Sequence, residues 1–180
     1  MLVWAIMGMV SLVGVIVTIL FTGLVDGLGI ALVGAALTVF LCGLGSILAL
    51  GSVGEGAAAV ATEKPEAFGK LLLLQVLPGT QGIYGFIIGF IVLLKLGILG
   101  GELQELTVQQ GWNYFVACLP MMLSGLLSAL YQGRVSSAGL KMVAKDPASG
   151  GKAMIMSAMV ETYAVLGLLV TFLATFFLIK

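Results

Sequence analysis

The chain has 180 residues, eight basic and eight acidic, no histidine, and 61% hydrophobic residues. Soluble domains carry roughly 25% Asp, Glu, Lys and Arg, so the 9% found here cannot solvate a globular surface and places the chain in a membrane. Zero net charge excludes the basic face of a nucleic-acid binder, and the absence of histidine excludes His-ligated metal and His-based catalysis.

A membrane-spanning helix needs roughly 20 apolar residues, and the polar residues divide the chain into five such stretches. The first, Met1 to Val25, has no charge. It lacks the basic start and small-residue cleavage site of a secretory signal, so it is expected to be a retained extra helix, with a removed leader as the alternative. The second runs from Leu28 to about Val53, the third from Leu71 to about Leu99, the fourth from Trp112 to about Tyr131 and the fifth from Ala153 to Ile179. These runs are continuous rather than alternating, which argues for helices and against barrel strands. Cys42 and Cys118 both lie in apolar runs and read as small buried thiols.

Segments 54–70 and 133–152 hold Lys64, Lys70, Arg134, Lys141, Lys145 and Lys152, most of the basic residues. Positive residues stay on the cytoplasmic side, so these two loops are expected in the cytoplasm and Gly100 to Gly111 outside, in the cell membrane. Along the second stretch Ala31, Ala35, Thr38, Cys42, Gly45, Ala49, Ser52 and Gly56 form a heptad stripe of small residues that would let helix backbones approach closely.

The chain repeats itself. Displaced by 82 positions, Gly43 falls on Gly125, Ser46 on Ser128, Gly51 on Gly133, Pro65 on Pro147, Gly69 on Gly151, Lys70 on Lys152, Thr80 on Thr162 and Gly85 on Gly167. The expected architecture is therefore an all-α membrane protein built as a duplicated transmembrane helical hairpin of four helices, preceded by the extra N-terminal segment. Its units are 1–26, 27–105 and 106–180. The copies share one orientation, which weighs against inverted-repeat transporters. Two mismatches stand out: Glu161 falls on Gly79, and Gln132 on Leu50.

Glu161 lies near mid-bilayer with no basic residue at its depth. A charge there costs of the order of 3 kcal/mol, so it marks a functional site that needs a partner. In the third stretch Leu77, Thr80, Gln81 and Tyr84 share one helical face. Pro78 and Gly79 loosen the backbone beside them, freeing main-chain carbonyls. Gln132, expected one turn inside its span, adds a further amide oxygen. A carboxylate, two amide oxygens, a hydroxyl and a carbonyl make an all-oxygen cage for a hard cation. One carboxylate balances one charge, which favours Na⁺ over a divalent ion, while Tyr84 is placed to donate its hydroxyl hydrogen to the carboxylate. A proton-carrying site using Glu161 alone, or a secondary carrier built on parallel repeats, remains as an alternative.

LPGTQGIYG (Leu77 to Gly85), MVETYAVLG (Met159 to Gly167), QGRVSSAG (Gln132 to Gly139) and EGAAA (Glu55 to Ala59) resemble the K subunit of bacterial sodium-transporting V-type ATPases, the duplicated proteolipid that forms the rotor ring. The resemblance implies a non-catalytic ion-carrying subunit. In that family the ion is held by the residues matching Leu77 (through its carbonyl), Thr80, Gln81, Gln132 and Glu161, with the residue matching Tyr84 bonded to the carboxylate. It further implies copies of the chain in a membrane ring, a stator subunit with a basic residue, a central stalk meeting the two cytoplasmic loops, and lipid around the ring. The chain has no GxxxxGK[ST] phosphate loop with which to hydrolyse nucleotide itself. The family as a rule has nothing corresponding to Met1 to Val25.

Overall fold

The computed structural model describes residues 26–179; the extra helix or leader expected over Met1 to Val25 lies outside the described residues. Helix α1 spans Gly27–Glu63, α2 Phe68–Val76, α3 Thr80–Lys95, α4 Val108–Lys145 and α5 Gly150–Leu173. A 3-10 turn, Leu77–Gly79, joins α2 to α3, and a π-helical turn, Ala174–Leu178, ends α5. These elements make four spans, Gly27–Glu63, Pro65–Lys95, Val108–Lys145 and Pro147–Phe177, each long and apolar enough to cross a membrane.

The spans exceed the bilayer. At ~1.5 Å per residue the 38 residues of α4 extend well beyond a hydrocarbon core of roughly 30 Å. Much of what composition assigns to loops 54–70 and 133–152 is accordingly helix. α1 continues to Glu63 and α4 to Lys145, and the reversals are only Lys64–Ala67 and Asp146–Ser149. The cause is local. Ala, Val, Glu and Lys sustain a helix already begun, until a proline disfavours α geometry at the residue before it. Lys64 (φ −135°, ψ 73°) precedes Pro65, and Asp146 (φ −141°, ψ 104°) precedes Pro147. The Asp146 carboxylate accepts from Ala148 N–H at 2.9 Å. On the opposite side Asp26 caps α1 by accepting from Gly29 N–H at 2.7 Å. Thr107 and Gln110 form a reciprocal capping box at the start of α4, satisfying amides that begin a helix without partners.

α1 and α4 lie side by side as one layer, while α3 packs on α1 and α5 on α4 as a second. The small residues decide this arrangement. A Cβ on Gly45 would meet the Leu126 carbonyl oxygen at 2.9 Å, and one on Gly34 would meet Phe115 Cα at 2.9 Å. Of the heptad stripe, Ala31, Ala35, Thr38, Cys42, Gly45 and Ala49 are buried, whereas Ser52 is exposed and Gly56 half-buried. Cys42 and Cys118 are free, buried thiols, and Cys42 donates to the Met121 carbonyl at 3.4 Å.

Proline inside α4 is accommodated by its neighbour. Pro120 lacks an N–H and disturbs the ladder around it, and the next amide, Met121 N–H, donates to Thr171 Oγ1 of α5 at 3.0 Å. Both ends of the outer layer are tied. Lys70 Nζ donates to the Pro147 carbonyl at 2.8 Å, joining the two reversals, and Lys95 Nζ donates to the carbonyls of Thr175 at 2.8 Å and Ile179 at 3.1 Å.

Candidate ion-binding site

Leu77 to Gly79 is where the third span departs from α geometry, and the site begins there. Pro78 has no N–H for the Leu74 carbonyl, and the chain tightens into the 3-10 turn. The Leu77 carbonyl accepts the Thr80 N–H in that turn and also the Thr80 hydroxyl at 3.1 Å. Leu77 O is thus a doubly engaged acceptor rather than the bare carbonyl that a loosened backbone suggests, because the 3-10 turn uses it to close on Thr80. The site end of α3 is fixed to α1 by Gly82 N–H, which donates to Ser46 Oγ at 2.9 Å.

Beyond the turn, Gln81 is fully buried and Tyr84 half-buried. Gln132 is also fully buried, and because α4 continues to Lys145 it lies roughly 20 Å from the end of its helix instead of one turn inside. Glu161 stands midway along α5, half-buried. Tyr84 Oη donates to Glu161 Oε1 at 2.6 Å, and Gln132 Nε2 donates to Glu161 Oε2 at 3.3 Å. Gln81 Nε2 donates in turn to Gln132 Oε1 at 2.5 Å. The three spans thereby converge on one carboxylate through a chain of polar groups, Gln81 to Gln132 to Glu161, closed from the other side by Tyr84.

Each donor bond offsets part of the cost of holding the charged form in a low-dielectric setting. The chain of amides leaves one acceptor over: Gln81 Oε1 is buried with no hydrogen-bond partner among the described residues. A buried amide oxygen without a donor is costly, and a cation would satisfy it. Oxygens of Leu77, Thr80, Gln81, Gln132 and Glu161 are the hard, uncharged or singly charged donors that suit Na⁺. Of these five residues only Glu161 carries a carboxylate, so the donor set holds one unit of charge.

The sequence singled out every residue in this network except Ser46. Its signal was present but weak: Ser46 adjoins the small stripe and recurs as Ser128 in the repeat. A second polar pair, Ser136 and Ser157, is buried between α4 and α5 with oxygens 2.7 Å apart. In the second copy Thr162 donates to the Met159 carbonyl at 2.8 Å, repeating the Thr80 to Leu77 contact.

Compared with known proteins, the chain matches the family model for the C subunit of ATP synthase twice, over residues 33–92 and 115–174, segments displaced by the same 82 positions as the repeat. It is 44% identical over 147 residues to the K subunit of the V-type sodium ATPase of Enterococcus hirae, covering 82% of this chain and 90% of that one. It is 40% identical over 150 residues to the K subunit of the A-type ATP synthase of Methanocaldococcus jannaschii, covering 83% of this chain and 63% of that one. To the 16 kDa proteolipid of the V-type proton ATPase of Nephrops norvegicus it is 30% identical over 114 residues, covering 63% of this chain and 69% of that one.

Proposed function

The chain belongs to the family of ATP synthase C subunits, and on that premise we propose that it is the ring-forming membrane subunit of a rotary ATPase, carrying Na⁺ on Glu161. It is a non-catalytic, ion-translocating subunit, and the nucleotide chemistry belongs to other parts of the complex. The observation that carries the reading is the carboxylate itself: Glu161 accepts from Tyr84 Oη and Gln132 Nε2, beside a buried amide oxygen with no donor among the described residues. A site for protons alone requires neither the extra oxygens nor a hydroxyl donor that competes with protonation.

In this reading Na⁺ is the cargo. Bound among Glu161, Gln132, Gln81, Thr80 and the Leu77 carbonyl, it neutralises the carboxylate, and the neutral pair escapes the charge penalty of lipid as the ring turns. The terminal amide torsion of a glutamine is soft, so Gln132 can present its oxygen to the ion by exchanging the ends of its amide. At the stator, a basic residue belonging to a different protein of the complex competes for Glu161 and releases the ion into an exit path; an entry path reloads it. The reversals at Lys64–Ala67 and Asp146–Ser149 face the cytoplasm and meet the central stalk, lipid surrounds the outer layer, and the ring lies in the cell membrane.

The test is modification of Glu161 by a carboxyl-reactive carbodiimide, together with ²²Na⁺ binding. Na⁺ is expected to suppress labelling where K⁺ does not, and Glu161→Gln is expected to lose both labelling and binding. Labelling indifferent to Na⁺, with no bound ²²Na⁺, would transfer the cargo to protons; native mass of a single chain would remove the ring.

A further inference from the structure

Because α3 starts anew after the turn at Pro78, its first N–H groups lie where a helix has no partners of its own. The residue ahead of a helix ordinarily serves one of them through its side chain. Ahead of α3 stands Gly79, which makes no such bond. A serine or aspartate at that position could not take over. Side-chain capping needs an extended backbone there, whereas Gly79 is held at φ −86°, ψ −19°, helical values that keep the third span continuous through the membrane. A Cβ on Gly79 would also stand 3.3 Å from Leu50 Cδ1.

The acceptor comes from a different span. Ser46 of α1, 4% exposed, takes the N–H of Gly82, the third residue of α3, at 2.9 Å. The fit is close, since a Cβ on Gly82 would lie 3.3 Å from Ser46 Oγ and 3.4 Å from Ser46 Cβ. The residues that precede Gly82 in this turn are Thr80 and Gln81. They bring to the site a hydroxyl and the buried amide oxygen that lacks a donor among the described residues. Wherever the turn is set along and around its axis, those two oxygens follow.

The second copy shows the same serine where no turn has to be held. Ser128, the counterpart of Ser46, donates to the Gly125 carbonyl of its own helix at 3.5 Å. Across from it, the counterparts of Pro78, Gly79 and Gly82 are Val160, Glu161 and Ala164, all inside the unbroken α5. Serine occurs in both copies, and it reaches across to the next helix in the one that carries the proline.

We propose, on the reading of the site as one for Na⁺, that Ser46 is a positioning residue: by capping α3 from α1 it sets the spacing of the Thr80 and Gln81 oxygens, and with it the preference for one cation radius over another. Ser46 itself touches no ion. The experiment is ²²Na⁺ titration of the purified assembly, with displacement by Li⁺, for wild type, Ser46→Ala and Ser128→Ala. Ser46→Ala is expected to weaken Na⁺ binding roughly fivefold or more and to change the ratio of Li⁺ to Na⁺ affinity, because a loosened turn no longer holds its oxygens at one spacing. Ser128→Ala removes a buried hydroxyl at the matching position of the other copy, and is expected to leave both quantities unchanged. Gly82→Ala crowds the same hydroxyl from α3; it is expected to act in the direction of Ser46→Ala, and it carries the test should that variant fail to assemble. A Ser46→Ala or Gly82→Ala protein that melts earlier yet keeps both affinities and their ratio overturns the proposal, for the serine would then only hold two helices together. Equal changes in Ser46→Ala and Ser128→Ala overturn it as well. If wild type binds no ²²Na⁺, it is the sodium reading that fails, and the role of Ser46 falls with it.

Discussion

Glu161 receives two hydrogen bonds of different character. The Tyr84 bond, 2.6 Å from hydroxyl to carboxylate, is a short charge-assisted contact of a kind that contributes about 1.5–3 kcal/mol. Tyr84→Phe is expected to weaken Na⁺ binding roughly tenfold or more, measured by ²²Na⁺ titration of the purified assembly. Gln132 both donates to Glu161 and accepts from Gln81, so Gln132→Leu disconnects two residues at once. Its effect on the same titration is expected to exceed that of Tyr84→Phe, and adding Gln81→Leu should cost little more, because members of one network are not additive. Glu161 and the two glutamines could be recognised in the sequence because polar groups in apolar runs are conspicuous. The state of the Leu77 carbonyl could not, since whether a backbone oxygen is bare or already accepts from Thr80 depends on the turn that forms after Pro78.

Helix by helix, the spans could be located from hydropathy, but their ends could not. Composition is silent on how far a helix persists past the membrane, and the reversals came only at Pro65 and Pro147. Proline also sets a testable dependence inside α4. Thr171→Val strands the Met121 amide that now donates to Thr171 Oγ1, and a buried unsatisfied donor costs about 1–3 kcal/mol. The variant is expected to melt earlier in detergent, and adding Pro120→Ala should recover part of the loss by letting the helix ladder close over that amide. Gly45→Leu should be more damaging and irreparable by that route, because the Leu126 carbonyl oxygen and Cα, at 2.9 and 3.1 Å from an added Cβ, belong to a backbone that cannot move aside.

Across the whole molecule the duplication was legible in the sequence and the pairing was not. Matching glycines reveal two copies, but only coordinates reveal that α1 and α4 form one layer and that α3 and α5 cover it. Two lysines then act on the outer layer as a unit. Lys70 ties the start of α2 to the Pro147 carbonyl, and Lys95 ties the end of α3 to the carbonyls of Thr175 and Ile179. Lys95→Met is expected to speed amide hydrogen exchange in the last turns of α3 and α5 while leaving the Lys70 end unchanged, as local opening requires. The positions of these ties have a mechanical meaning. Glu161 lies halfway between Pro147 and Thr175, and Tyr84 lies close to halfway between Lys70 and Lys95. The Tyr84 to Glu161 hydrogen bond at 2.6 Å thus falls at the middle of a pair of helices already tied at both tips, so the outer wall is held at three levels with the carboxylate at the central one.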